Sequence, residues 1–100
     1  SKTLTQLEQL TLTYNPIGTE GAKLIANSEN FKNLKLLDLY ETELGDEGGR
    51  ALAESKYLTN LETLILIHND ISEEVQELIQ NSKNLPNLTK VVFRPAMAEH

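Results

Sequence analysis

The chain repeats itself every 27 residues, and no other property of it restricts the fold so tightly. Leu7, Leu34, Leu61 and Leu88 stand one period apart, as do Leu10, Leu37, Leu64 and Val91, and Leu12, Leu39, Leu66 and Phe93. Leu4, Phe31, Leu58 and Leu85 keep the same step. So do Asn33, Asn60 and Asn87, and Ser28, Ser55 and Ser82. No insertion breaks the register, so each unit is a copy of one supersecondary element that hides its apolar side against its neighbours.

Every unit opens LxxLxL, as in Leu7-Glu8-Gln9-Leu10-Thr11-Leu12. The alternation over the last three positions predicts a short strand with its leucines on one face. Turn signals follow at Asn15-Pro16-Ile17-Gly18, Leu44-Gly45 and Asn69-Asp70-Ile71-Ser72. A helix comes next, most legibly in SEEVQELIQNS. There Ser72 is the expected N-cap, Glu73 and Glu74 suit the positive end of the helix dipole, and Val75, Leu78 and Ile79 form an apolar stripe. Gly21, Leu24 and Ile25, and then Gly48, Ala51 and Leu52, occupy the same offsets and are expected to face the strand leucines.

These units resemble leucine-rich repeats, with the pattern LxxLxLxxNxLxxxGxxxL, and their strand, turn and helix are similar to the ribonuclease-inhibitor-like subclass. The resemblance runs from about Leu4 to Phe93. It implies an α/β, right-handed solenoid, a horseshoe segment with a short parallel sheet on the concave side and helices on the convex side. One domain over residues 1–100 is expected, with units near 7–33, 34–60 and 61–87, a terminal strand at 88–94 and a tail or tag remnant at 95–100. The family's turn asparagine, which bonds backbone groups, is present as Asn15 and Asn69 but replaced by Thr42, which predicts a looser second turn.

The same resemblance sends the residues between the leucines to the concave surface, where neighbouring units line up in columns. The columns are Gln9, Leu36, Thr63, Lys90; Thr11, Asp38, Ile65, Val92; Thr13, Tyr40, Ile67, Arg94; and Tyr14, Glu41, His68, Pro95. Ile65 and Ile67 thus fall on the face that should be wet, beside Val92 and Tyr40 and close to Leu36. Strands about 4.8 Å apart merge them into a patch on the order of a few hundred Å2, a size that points to an interaction site. Tyr40, Ile65, Ile67 and Val92 are the candidate apolar anchors, and Tyr14, Asp38, Glu41, His68 and Arg94 their polar surroundings. The partner expected is a protein. The alternative is a structural role, in which uncapped ends pair chains as a homo-oligomer or join a longer repeat array.

Other classes find little support. The net charge of −6, with only nine scattered basic residues, argues against nucleic acid. His68 beside Glu41, with Tyr40 and Thr63 near, lacks a nucleophile, so no enzyme is expected. Asp46-Glu47 and Glu73-Glu74 are explained by helix N-termini without a metal, and the glycines recur with the repeat and lack the phosphate-loop lysine. Asn87-Leu88-Thr89 fits a glycosylation acceptor, but its asparagine belongs to the repeat. No cofactor is expected. The chain has no Cys, no apolar run of membrane-spanning length and no signal peptide, which together suit a cytoplasmic protein. Ser1 in place of Met is compatible with a segment of something longer.

Overall fold

The computed structural model describes residues 6–95. Strand β1 (Gln9–Thr11) leads through a turn to helix α1 (Gly18–Ala26) and a short 3-10 turn (Glu29–Phe31). Strand β2 (Leu36–Asp38) and helix α2 (Gly45–Ala53) repeat that path. Strand β3 (Thr63–Ile65), helix α3 (Glu73–Gln80) and strand β4 (Lys90–Val92) complete it. The four strands form one parallel sheet in the order β1-β2-β3-β4, so every crossover joins immediate neighbours.

The pairing preserves the period of the sequence. Leu10 lies opposite Leu37, Leu37 opposite Leu64, and Leu64 opposite Val91. A one-residue slip would turn the whole leucine set outward, so the buried face pins the register. Leu34, Leu37, Leu39, Leu61, Leu64 and Leu66 are all at most 1% exposed, and each such burial stabilises by about 1.5–3 kcal/mol. At the ends of the stack, Leu7, Leu10 and Leu12 on one side and Leu88, Val91 and Phe93 on the other are only partly buried. Leu4 lies outside the described residues.

The helices pack on the far side of this core, α1 on α2 and α2 on α3. Two adjacent glycines in α2 make both contacts close. A β-carbon on Gly48 would lie 3.2 Å from that of Ala22 in α1, and one on Gly49 would lie 2.8 Å from Cγ1 of Val75 in α3. Even so, helices cannot approach below about 8 Å, whereas strands stack at about 4.8 Å. Each unit is therefore a wedge with its thin side at the sheet, and the sheet takes the concave side.

The helix stripe differs from expectation at one offset. Ile25, Leu52, Val75 and Ile79 are buried, but Leu24 is 73% and Leu78 41% exposed. At 100° per residue the third offset rotates past the sheet, and the core is filled by the i+4 residue together with Val75 at i in the third unit, or with Ile17 and Leu44 packed on Gly21 and Gly48 in the first two. The leucines at 24 and 78 face solvent on the convex side, with the smaller Ala51 half-buried between them.

Polar repeat positions tie the units together. The Ser55 hydroxyl donates to the carbonyl of Ala26, the last residue of α1, at 2.6 Å, and Ser82 does the same to Ala53 at the end of α2. Helices α1 and α2 thus each have an orphan C-terminal carbonyl satisfied by the next unit. Asn60 donates to the Lys32 carbonyl at 2.9 Å and Asn87 to that of Thr59 at 2.7 Å. The amide that would carry a glycan at Asn87 is therefore occupied by this ladder.

Candidate interaction face

The strand residues that point away from the helices form columns across the sheet. Gln9, Leu36, Thr63 and Lys90 are register partners, and so are Thr11, Asp38, Ile65 and Val92. Backbone bonds extend the alignment past the strands: Tyr14 N–H donates to the Tyr40 carbonyl at 2.9 Å, and Glu41 N–H to that of Ile67 at 2.8 Å. Leu36, Ile65, Ile67 and Val92 are half-buried rather than open. Across a gap of about 4.8 Å each covers part of its neighbour. The most exposed large apolar side chain on this side is Tyr14, at 66%.

Tyr14, Tyr40 and His68 form a continuous aromatic row at the turn-side edge of the sheet. The Tyr14 and Tyr40 rings are 5.3 Å apart at 60°, and those of Tyr40 and His68 are 5.4 Å apart at 90°, both edge-to-face. Such contacts are worth about 0.5–1.5 kcal/mol beyond burial. The hydrogen bond shared with Tyr14 holds the Tyr40 phenol above its ordinary range, with desolvation, Tyr14 itself and the negative charge of Glu41 adding to the effect. Asp38 accepts the Tyr40 N–H at 3.1 Å through Oδ1, which fixes where the Tyr40 backbone leaves the strand. Sequence columns place Tyr40 one position away from Tyr14 and His68; only the three-dimensional path brings the three rings into contact.

The backbone of this edge is unusual. Tyr14, Glu41 and His68 adopt φ of 62°, 53° and 60°, and Glu43 and Asp70 adopt 63° and 58°. The left-handed conformation costs a residue with a β-carbon roughly 1–2 kcal/mol. Sequence reasoning missed it because glycine, its usual marker, is absent from all five positions. Gly18 and Gly45 do carry that mark, at φ 67° and 68°. Their third-unit counterpart Ser72 instead lies at φ −67°, where its hydroxyl accepts the Val75 N–H and caps α3 as expected.

The turn asparagine behaves as its chemistry requires in one unit only. Asn69, 3% exposed, accepts the N–H groups of Thr42 and Leu44 through Oδ1 at 2.9 and 3.2 Å, and donates through Nδ2 to the carbonyls of Leu39 at 2.6 Å and Ile67 at 3.3 Å. Thr42, in place of the second asparagine, is fully buried, and its hydroxyl donates to the Leu39 carbonyl of its own turn at 2.9 Å. The second turn is thus closed, not loose. The consequence falls on the first turn, which a Thr side chain is too short to reach. There Ile17 N–H folds back on the Asn15 carbonyl at 2.7 Å and Asn15 N–H on that of Leu12 at 3.3 Å. The Asn15 side chain is left exposed, with one bond to the Thr13 carbonyl.

Among the described residues no group of three or more His, Cys, Asp or Glu is placed to hold a metal ion. His68 meets the Tyr40 ring, and no ion pair joins it to Glu41. An open cavity of about 480 Å3 beside the row is lined by Glu43, Gly45, His68, Asn69 and Asp70. No helix among the described residues is long and apolar enough to cross a membrane.

A parallel sheet with one strand and one helix per turn, each turn bonded only to its neighbours, defines a repeat solenoid segment. The Leucine Rich repeat family model matches residues 3–26 and 32–53, which makes the first two units leucine-rich repeats. Repeats of this family generally mediate protein–protein interaction. No curated protein matches the chain.

Proposed function

We propose that the protein is a non-catalytic interaction module that binds a partner protein through the concave sheet face. Ile65, Ile67, Val92 and Tyr40 serve as anchors, with Leu36 beside them and Tyr14, Asp38, Glu41, His68 and Arg94 around them. The observation that carries this reading is a half-buried apolar patch running in register into an aromatic row. Water is already partly excluded from such a surface, and aromatic anchors contribute most at interfaces. An α-helix in each of the three turns supports assignment to the ribonuclease-inhibitor-like subclass and to one domain with the unit boundaries given above. The test is affinity capture with quantitative comparison of the wild type, an Ile65→Glu, Ile67→Glu variant and a Leu24→Glu variant on the convex side. Partners lost only with the first variant support the concave face; partners retained by it overturn the reading.

A second reading, assembly through the ends, is favoured by the partial burial of Leu7, Leu10 and Leu12 on edge strand β1. Light scattering checks it: a dimer or larger species dispersed by Leu10→Lys would establish end-to-end association, and a concentration-independent single-chain mass would exclude it.

A further inference from the structure

The concave-face reading leaves the chemistry of the partner open, and the turn-side edge narrows it; the inference rests on that reading. Three rings in edge-to-face contact, Tyr14, Tyr40 and His68, line the border of the patch, and Tyr14 is 66% exposed. Exposed carboxylates at Glu41, Glu43 and Asp70 lie along the same border, Glu43 and Asp70 lining one cavity with His68. None of the three has an ion-pair partner among the described residues, where the two ion pairs are Lys23–Glu20 and Lys32–Glu29 on the outer side. Like charges gathered beside electron-rich rings repel one another and attract a cation.

The backbone supplies an independent observation. Among the described residues, the five non-glycine residues with left-handed φ are on this edge, and they are Tyr14, Glu41, Glu43, His68 and Asp70. Asp and His enter this region more readily than most residues, so Tyr14, Glu41 and Glu43 are the outliers. Left-handed outliers cluster at functional sites, which agrees with a functional role for this border.

We infer that this border seats an arginine side chain of the partner protein. The planar guanidinium stacks on aromatic faces and forks onto carboxylates, which an ammonium does less well. The contact is a cation–π seat over the exposed Tyr14 ring closed by the carboxylate of Glu41, with Glu43 adding negative charge, while Asp70 shares a cavity with Arg94 of the chain itself.

The inference is tested by titrating the labelled protein with a capped arginine–glycine peptide, following the Tyr14, Tyr40 and His68 ring resonances by NMR. A serine–glycine peptide is the control. Saturable ring shifts with the arginine peptide alone are expected. Tyr14→Gly and Glu41→Gly suit the left-handed backbone, so they keep the fold, and each weakens the peptide by about tenfold, the size of one cation–π contact or close charge pair. Unchanged affinity in both variants, or no saturation at millimolar peptide, overturns the seat. Shifts confined to the Ile65 and Ile67 methyl groups overturn it too while leaving the apolar face in place as a binding surface. Concentration-dependent ring shifts without peptide would assign the border to a second copy and also overturn it. Failure of the concave-face reading shows separately, as partners retained by the Ile65→Glu, Ile67→Glu variant.

Discussion

Asn69 Oδ1 accepts the backbone N–H of Thr42 at 2.9 Å, one full repeat away in sequence. That acceptor also serves the Leu44 N–H, and the same amide donates to the Leu39 carbonyl. Asn69→Ala leaves these groups buried without partners, each costing about 1–3 kcal/mol. Urea unfolding should show a loss of about 3 kcal/mol or more. Asn15→Ala, which removes one exposed bond, should cost no more than about 1 kcal/mol.

Thr42→Asn lengthens the side chain enough to bond the first turn as Asn69 bonds the second. Stability should rise by about 1 kcal/mol, the net worth of one good hydrogen bond. The diagnostic measurement is amide hydrogen exchange: the Asn15 and Ile17 N–H groups should gain protection while those of α3 do not change.

Gly49 is where α2 meets α3. Alanine would gain about 1 kcal/mol of helix propensity there, but its methyl would lie 2.8 Å from Cγ1 of a buried, β-branched Val75. Overpacking costs about 1–3 kcal/mol, so Gly49→Ala should be net destabilising. In a double-mutant cycle with Val75→Ala the cost of the added methyl should vanish; a cost that persists would place the clash elsewhere.

Asp46 Oδ1 accepts the Ser72 N–H at 2.7 Å, joining the first turn of α2 to the turn before α3. The Ser72 backbone bond, its side chain and the Arg50 charge hold the Asp46 carboxyl below its ordinary value. The native state therefore releases this proton more readily than the unfolded chain. The stabilisation is present above the unfolded value of about 3.9 and is lost as pH falls through the lower native one. In thermal melts, Asp46→Asn should lower the midpoint at neutral pH and narrow its gap from the wild type as the solution is acidified below about pH 4.

The 27-residue spacing determined the strand order, the register and the leucine core, because each unit touches only its neighbours and a fixed step brings like positions together. The candidate columns of the concave face follow from the same arithmetic. Tertiary structure decided how open each position is and which way its backbone turns. Leu24 and Leu78 read as core residues, yet only the helix packing shows that Ile25 in one unit and Val75 and Ile79 in the other have taken the core positions. Ile65 and Ile67 read as exposed, yet their column neighbours half-cover them. The left-handed residues at 14, 41 and 68 carried no glycine to announce them, so the aromatic row could not be read from the chain. Thr42 shows the limit most plainly. The sequence names the missing asparagine, but a hydroxyl too short to reach the preceding unit bonds its own turn, and the change appears in the turn before it.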